Sequence, residues 1–169
     1  MDYGQLTTDM FTGTEILDVF RALGVTHVVY LPDSTLGTWE PALASAGDLQ
    51  LVRVCREGEA WAIAAGLHMG GKRPIVVLQS TGLFESGDAL RNVLYDLGLP
   101  LWAVVGYRSY LLPESKDSAK RFAEPILKAW DLDFLLVERP EQLPLIAGHL
   151  QAAAAGNRPG VVLLAEGKG

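Results

Sequence analysis

Two hydrophobic patterns alternate along the chain. Short, continuous apolar runs occur at Thr26–Leu31 (THVVYL), Leu49–Val54 (LQLVRV), Pro74–Gln79 (PIVVLQ), Leu101–Gly106 (LWAVVG), Phe134–Val137 (FLLV) and Gly160–Ala165 (GVVLLA). Between them lie longer stretches with apolar residues three and four apart, such as Ile16, Leu17, Phe20 and Leu23. The first pattern predicts strands and the second helices. Thr14 is a plausible N-cap for the first helix and Gly24 its stop. Further helices are expected over 36–46, from Arg56 or Glu57 through AWAIAAGL, over 83–97, up to Trp130, and over 140–155.

Runs without polar alternation suit strands covered on both faces, as in parallel sheets. Strand and helix alternating with right-handed crossovers give a three-layer α/β/α arrangement around a six-stranded parallel sheet. No linker or repeat divides the 169 residues, so one domain is expected over 1–169. Ligands of such sheets bind beyond the carboxyl ends of the strands. The segments there are Pro32-Asp33-Ser34, Arg56-Glu57-Gly58, Ser80-Thr81-Gly82 and Tyr107-Arg108-Ser109.

Each segment also has an ordinary structural reading. Asp33 and Ser34 can cap a helix, Ser80 to Gly82 can form a turn, and Arg108 can be a solvated cation. Glu57 can complement the dipole of the helix it opens, although Glu59 suits that task as well. Gly66 to Lys72 matches the spacing of a phosphate loop, but Arg73 stands where Ser or Thr is needed. That segment also ends a helix instead of following a strand, which makes it a helix stop near Gly70 or Gly71. No G-x-G-x-x-G follows the first strand, which disfavours a dinucleotide fold.

Charge and composition narrow the function. Lys plus Arg total 14 against 20 Asp plus Glu, a net charge of −6. This argues against a nucleic-acid surface, which needs clustered positive charge. The first ten residues carry no basic, apolar leader pattern, and no apolar run reaches membrane-spanning length. Cys55, the lone cysteine, forms no internal disulfide, so a cytoplasmic location is expected, with Cys55 as a small buried side chain.

The stretch REGEAWAIAAGLHMGGKRPIVVLQSTGL resembles the pyrimidine-binding domain of thiamine diphosphate enzymes. The resemblance rests on Glu57, Ala60, Ala64 and Gly66 in the pattern E-x-x-A-x-x-x-A-x-G. It also rests on Leu31-Pro32-Asp33-Ser34, Lys72-Arg73-Pro74 and Gln79 to Gly82. Within that family the chain is most similar to sulfopyruvate decarboxylase alpha subunits and the N-terminal half of phosphonopyruvate decarboxylases. The resemblance implies that Glu57 hydrogen-bonds the cofactor's pyrimidine nitrogen. This favours the imino form of the neighbouring amino group and so the loss of the thiazolium C2 proton. It implies an apolar surround from Ala60, Trp61, Ile63 and Ala64. Pro32, Thr81 and Gly82 would line the cofactor, and Ser34, Ser80 and Arg108 the substrate, with Arg121 a further candidate. Asp33 would relay a proton.

The family fixes the cofactor's diphosphate through Mg²⁺ with a Gly-Asp-Gly followed by Asn. Gly47-Asp48-Leu49 and Gly87-Asp88-Ala89 do not match it. The resemblance therefore implies a separate diphosphate-binding (beta) subunit holding Mg²⁺, in an α₂β₂ or larger assembly acting on a small 2-oxo acid. Carboligation on the same cofactor, or a non-catalytic domain of the same fold, are the alternatives. One departure bears on substrate: Glu85 replaces an amide. If it faces the site it disfavours highly anionic substrates, and if it faces solvent it does not.

Overall fold

The computed structural model describes residues 11–33 and 36–167. Six strands form one sheet in the order β2-β1-β3-β4-β6-β5. They are β1 (His27–Tyr30), β2 (Gln50–Arg53), β3 (Pro74–Gln79), β4 (Trp102–Tyr107), β5 (Phe134–Val137) and β6 (Gly160–Ala165). All five pairings are parallel. β1, β3, β4 and β6 are buried throughout, as expected of runs without polar alternation. β2 and β5 lie at the edges and are only partly covered.

The helices are α1 (Gly13–Ala22), α2 (Leu36–Ser45), α3 (Glu57–Met69), α4 (Ser80–Glu85), α5 (Gly87–Arg91), α6 (Ser118–Ala129) and α7 (Leu145–Ala155). Two separate cores follow from the period of two along each strand. Val28, Val77, Val104 and Val162 face Phe20 of α1, Leu43 of α2 and Leu150 of α7. Val29, Val76, Val105 and Leu163 face Trp61 of α3, Leu83 of α4, Leu90 of α5 and Leu127 of α6. The three layers are thus α1/α2/α7, the sheet, and α3 to α6.

Several expected boundaries shift for identifiable reasons. Thr12, not Thr14, caps α1: its side chain accepts the Glu15 amide while the Glu15 carboxylate accepts the Thr12 amide. Gly24 does end the helix, at φ +66°. The expected loop Ser80-Thr81-Gly82 is instead the first turn of α4, with Gln79 as N-cap. The single helix expected over 83–97 breaks at Ser86, resumes as α5, and ends in a π-turn over Asn92–Asp96. A 3₁₀ turn at Pro140–Gln142 precedes α7. Cys55 is exposed, because it lies in the bend leaving edge strand β2.

The chain leaves each strand at the carboxyl edge of the parallel sheet and returns to the amino edge before the next, so α1 and α3 end at the amino edge. Arg73 serves that edge: its guanidinium donates to the Leu23 carbonyl at 2.8 Å, where α1 ends. Gly71, at φ +77°, follows the C-cap Gly70 of α3. Lys72 and Arg73 therefore belong to a helix stop. No helix among the described residues is long and apolar enough to cross a membrane.

Candidate active site

The strand order reverses between β1 and β3: the chain leaves β1 toward β2, then crosses back to β3. A crevice forms at such a switch point beyond the carboxyl ends of the strands. Pro32 and Asp33 follow β1 on one side of it, and Gln79 to Gly82 close β3 and open α4 on the other. Pro32 is exposed and Asp33 half-buried, and the Asp33 carbonyl accepts the Gly37 amide at 3.0 Å. Ser34 lies outside the described residues.

Glu57 is the first residue of α3, half-buried, on the crossover from β2 to β3. Its neighbour Glu59 performs the capping task, its carboxylate accepting the amides of Cys55 and Arg56 at 3.0 and 3.2 Å. Glu57 is thereby relieved of it, and its carboxylate has no hydrogen-bond partner among the described residues. It packs on Gly82. A Cβ at position 82 would lie 2.5 Å from the Glu57 Cγ and 2.8 Å from Oε1. Only glycine leaves the carboxylate its place. Ala60, Trp61 and Ala64 form an apolar layer beneath, whereas Ile63, expected to join it, is 38% exposed on the far face of α3.

Thr81 is exposed, and its hydroxyl donates to the Gln79 side chain at 3.3 Å. Gln79 in turn donates to Glu166 at 3.4 Å. Glu166 is a buried residue directly after β6, and its carboxylate lies over Gly106 of β4, leaving no room for a side chain there. A polar row thus crosses the carboxyl edge from Thr81 to Glu166. Glu166 escaped the reading of the sequence, although its signal was the one applied elsewhere: a charged residue directly after an apolar strand.

Two expected substrate contacts are placed differently. Ser80 is fully buried, and its hydroxyl has no partner among the described residues. It is the first residue of α4, directly after β3. Arg108 is partly exposed and bound through Nε to Asp117 at 2.8 Å. Asp117 also caps α6 by accepting the Ala119 amide, and it accepts the Ser109 hydroxyl. The Ala119 amide, with Ser109 and Arg108, holds its carboxyl below the usual range. The terminal nitrogens of Arg108 make no hydrogen bond among the described residues. Arg121 is exposed and sits 5.1 Å from the Phe122 ring.

Glu85 is exposed at the surface, and its carboxylate is engaged by residues at the start of α3. Its Oε2 accepts the Gly58 amide at 2.9 Å, and its Oε1 accepts Nε and Nη2 of Arg56 at 2.9 and 2.6 Å. The Gly58 amide, followed by Arg56, lowers its pKa. No group of three or more His, Cys, Asp or Glu among the described residues is arranged to hold a metal ion.

The fold and site together define an α/β domain that presents an unpartnered carboxylate at the switch point of a parallel sheet. Residues 10–114 match the family described as thiamine pyrophosphate enzyme, N-terminal TPP binding domain, and the chain belongs to that family. It is 22% identical to sulfopyruvate decarboxylase of Methanosarcina acetivorans over 152 residues, covering 89% of this chain and 39% of that protein. It is 24% identical to sulfopyruvate decarboxylase subunit alpha of Methanococcus maripaludis, covering 73% of this chain and 77% of that subunit. The crystal structure of benzoylformate decarboxylase from Polynucleobacter necessarius superposes with a TM-score of 0.74 at 27% identity, covering 90% of this chain and 29% of that one. The chain thus spans about two fifths of the Methanosarcina relative.

Proposed function

We infer that this chain is the pyrimidine-domain subunit of a thiamine diphosphate-dependent 2-oxo acid decarboxylase, of the sulfopyruvate decarboxylase kind, completed by a separate diphosphate-binding subunit. The observation that carries this reading is the unpartnered Glu57 carboxylate, held against Gly82 beside the switch point. A carboxyl group in that place can share a proton with a ring nitrogen lying across the crevice, and the apolar layer of Ala60, Trp61 and Ala64 excludes water from behind it. The residues present therefore fit the cofactor's pyrimidine. When bound, thiamine diphosphate supplies the electron sink for loss of carbon dioxide.

The other residues take supporting parts. Pro32, Thr81 and Gly82 border the ring. Asp33, across the crevice from Thr81, delivers a proton to the product carbon. Arg108 offers its terminal donors to the substrate's acid group, while Asp117 fixes its reach. Mg²⁺ and the diphosphate fall to the partner, since no Gly-Asp-Gly occurs in this sequence and relatives matched here carry the name subunit alpha. The reading includes an α₂β₂ or larger assembly in the cytoplasm.

The test is co-expression with a diphosphate-domain subunit, followed by carbon dioxide release over a panel of 2-oxo acids with thiamine diphosphate and Mg²⁺. The pair is expected to co-elute and turn over at least one of them. Glu57→Gln should assemble normally and slow exchange of the cofactor's C2 proton by about 10²-fold or more. Undiminished exchange in that variant would remove Glu57 from the mechanism.

A further inference from the structure

We propose that Glu85 is the positioning residue for Glu57, acting through the amino-terminal turn of α3. The inference rests on the reading of Glu57 given above and adds what fixes it in place. One carboxylate binds the residues on both sides of Glu57. It takes the Gly58 amide with one oxygen and the Arg56 guanidinium with the other. Glu57 itself rests on Gly82, three residues before Glu85 on the same helix. One turn further along α3, the Trp61 indole donates to Ser86 at 3.0 Å. Residues 57, 58 and 61 of α3 thus meet Gly82 and Glu85 of α4 and its C-cap Ser86.

Glu85 has the strongest geometry in this set. The amide it binds is one of the four that a helix start leaves without an intrahelical partner. Glu59 takes the amides of Cys55 and Arg56, just ahead of that turn. Glu85 takes the one directly after Glu57, and does so from another element. This ties the first turn of α3 to α4, which follows β3 without a loop. The pair with Arg56 also neutralises Glu85, so it places no net negative charge beside the crevice. A substrate with an acid group is therefore not repelled from this side.

The test uses Glu85→Ala, Glu85→Gln and Glu57→Gln in the full chain and in the assembled enzyme. In the full chain alone, the Glu57 γ-protons and Gly82 α-protons should give a nuclear Overhauser contact that Glu85→Ala loses and Glu85→Gln keeps, since the amide oxygen still accepts from Gly58. In the assembled enzyme, Glu85→Ala should slow C2 proton exchange about 10-fold or more, since small misplacements of reacting groups cost that much. The KM for the 2-oxo acid should stay within about 2-fold, because the lost interaction concerns cofactor activation and not substrate binding. Glu85→Gln should fall between wild type and Glu85→Ala. An unchanged Overhauser contact in Glu85→Ala, or unchanged exchange where Glu57→Gln abolishes it, would overturn the proposal. If Glu57→Gln leaves exchange intact, the catalytic reading fails instead, and the Overhauser contact alone decides the positioning.

Discussion

An alanine methyl at position 82 would sit 2.5 Å from the Glu57 Cγ, so one of the two must move. Within a helix the same substitution adds about 1 kcal/mol of intrinsic stability. The two effects part company in measurement. Gly82→Ala should keep or raise the thermal midpoint of the chain while lowering C2 proton exchange in the assembled enzyme by about 10²-fold. A lowered midpoint with unchanged exchange would mean that Glu57 does not depend on Gly82. At this scale the sequence was legible where the cause was local. Glu59 reads as the first-turn carboxylate that serves the helix start, and its partners there, Cys55 and Arg56, are within four residues. Glu57 reads as the carboxylate left over. The direction of Glu85 was not legible, since its partners Arg56 and Gly58 lie 29 and 27 residues away. Cys55 misled for a similar reason: nothing local reveals that β2 is an edge strand.

Among the elements, α3 and α4 carry the site between them, and their contact is where a structural change should register first. The Trp61 side chain is almost fully buried, and its N–H finds its acceptor in Ser86. Ser86→Ala leaves that donor buried and unpaired, which costs about 1–3 kcal/mol. The urea midpoint should fall accordingly, and a Ser86→Thr variant, which keeps the hydroxyl, should lose less. Strands were the most legible elements, because a continuous apolar run has few other uses. Helix starts were less so. Ser80, Thr81 and Gly82 look like a turn by residue type, yet tertiary packing of Leu83 and Gly82 against α3 and the sheet draws them into α4. The break at Ser86 was hidden because apolar spacing continues through it to Leu90, Val93 and Leu94.

For the whole molecule, layer order and parallel direction followed from the alternation of patterns, while the strand order needed the structure. One consequence of the packing is measurable at high pH. Burial, with Glu124 nearby, pushes the Tyr107 phenol up to about 12, and the hydrogen bond from Tyr110 to Glu138 pushes Tyr110 up to about 12. An unfolded tyrosine ionises near pH ~10. Between these values the unfolded chain sheds phenolic protons that the folded chain keeps. Stability is therefore fully present below about pH 10 and falls between about 10 and 12. Denaturant titrations at steps through that window should show the decline, and Tyr110→Phe should make it shallower.

The return of the chain from the carboxyl to the amino edge of the sheet has another result. Each crossover helix aims its partly positive end at the rim where Glu57, Thr81 and Arg108 stand, and its partly negative end at the opposite rim. A protein of net charge −6 repels small acids over most of its surface. For such a molecule arriving by diffusion, the helix dipoles favour approach from the first rim over the second. The long axis of the sheet thereby acts as a compass for incoming acids, and added salt would blunt it.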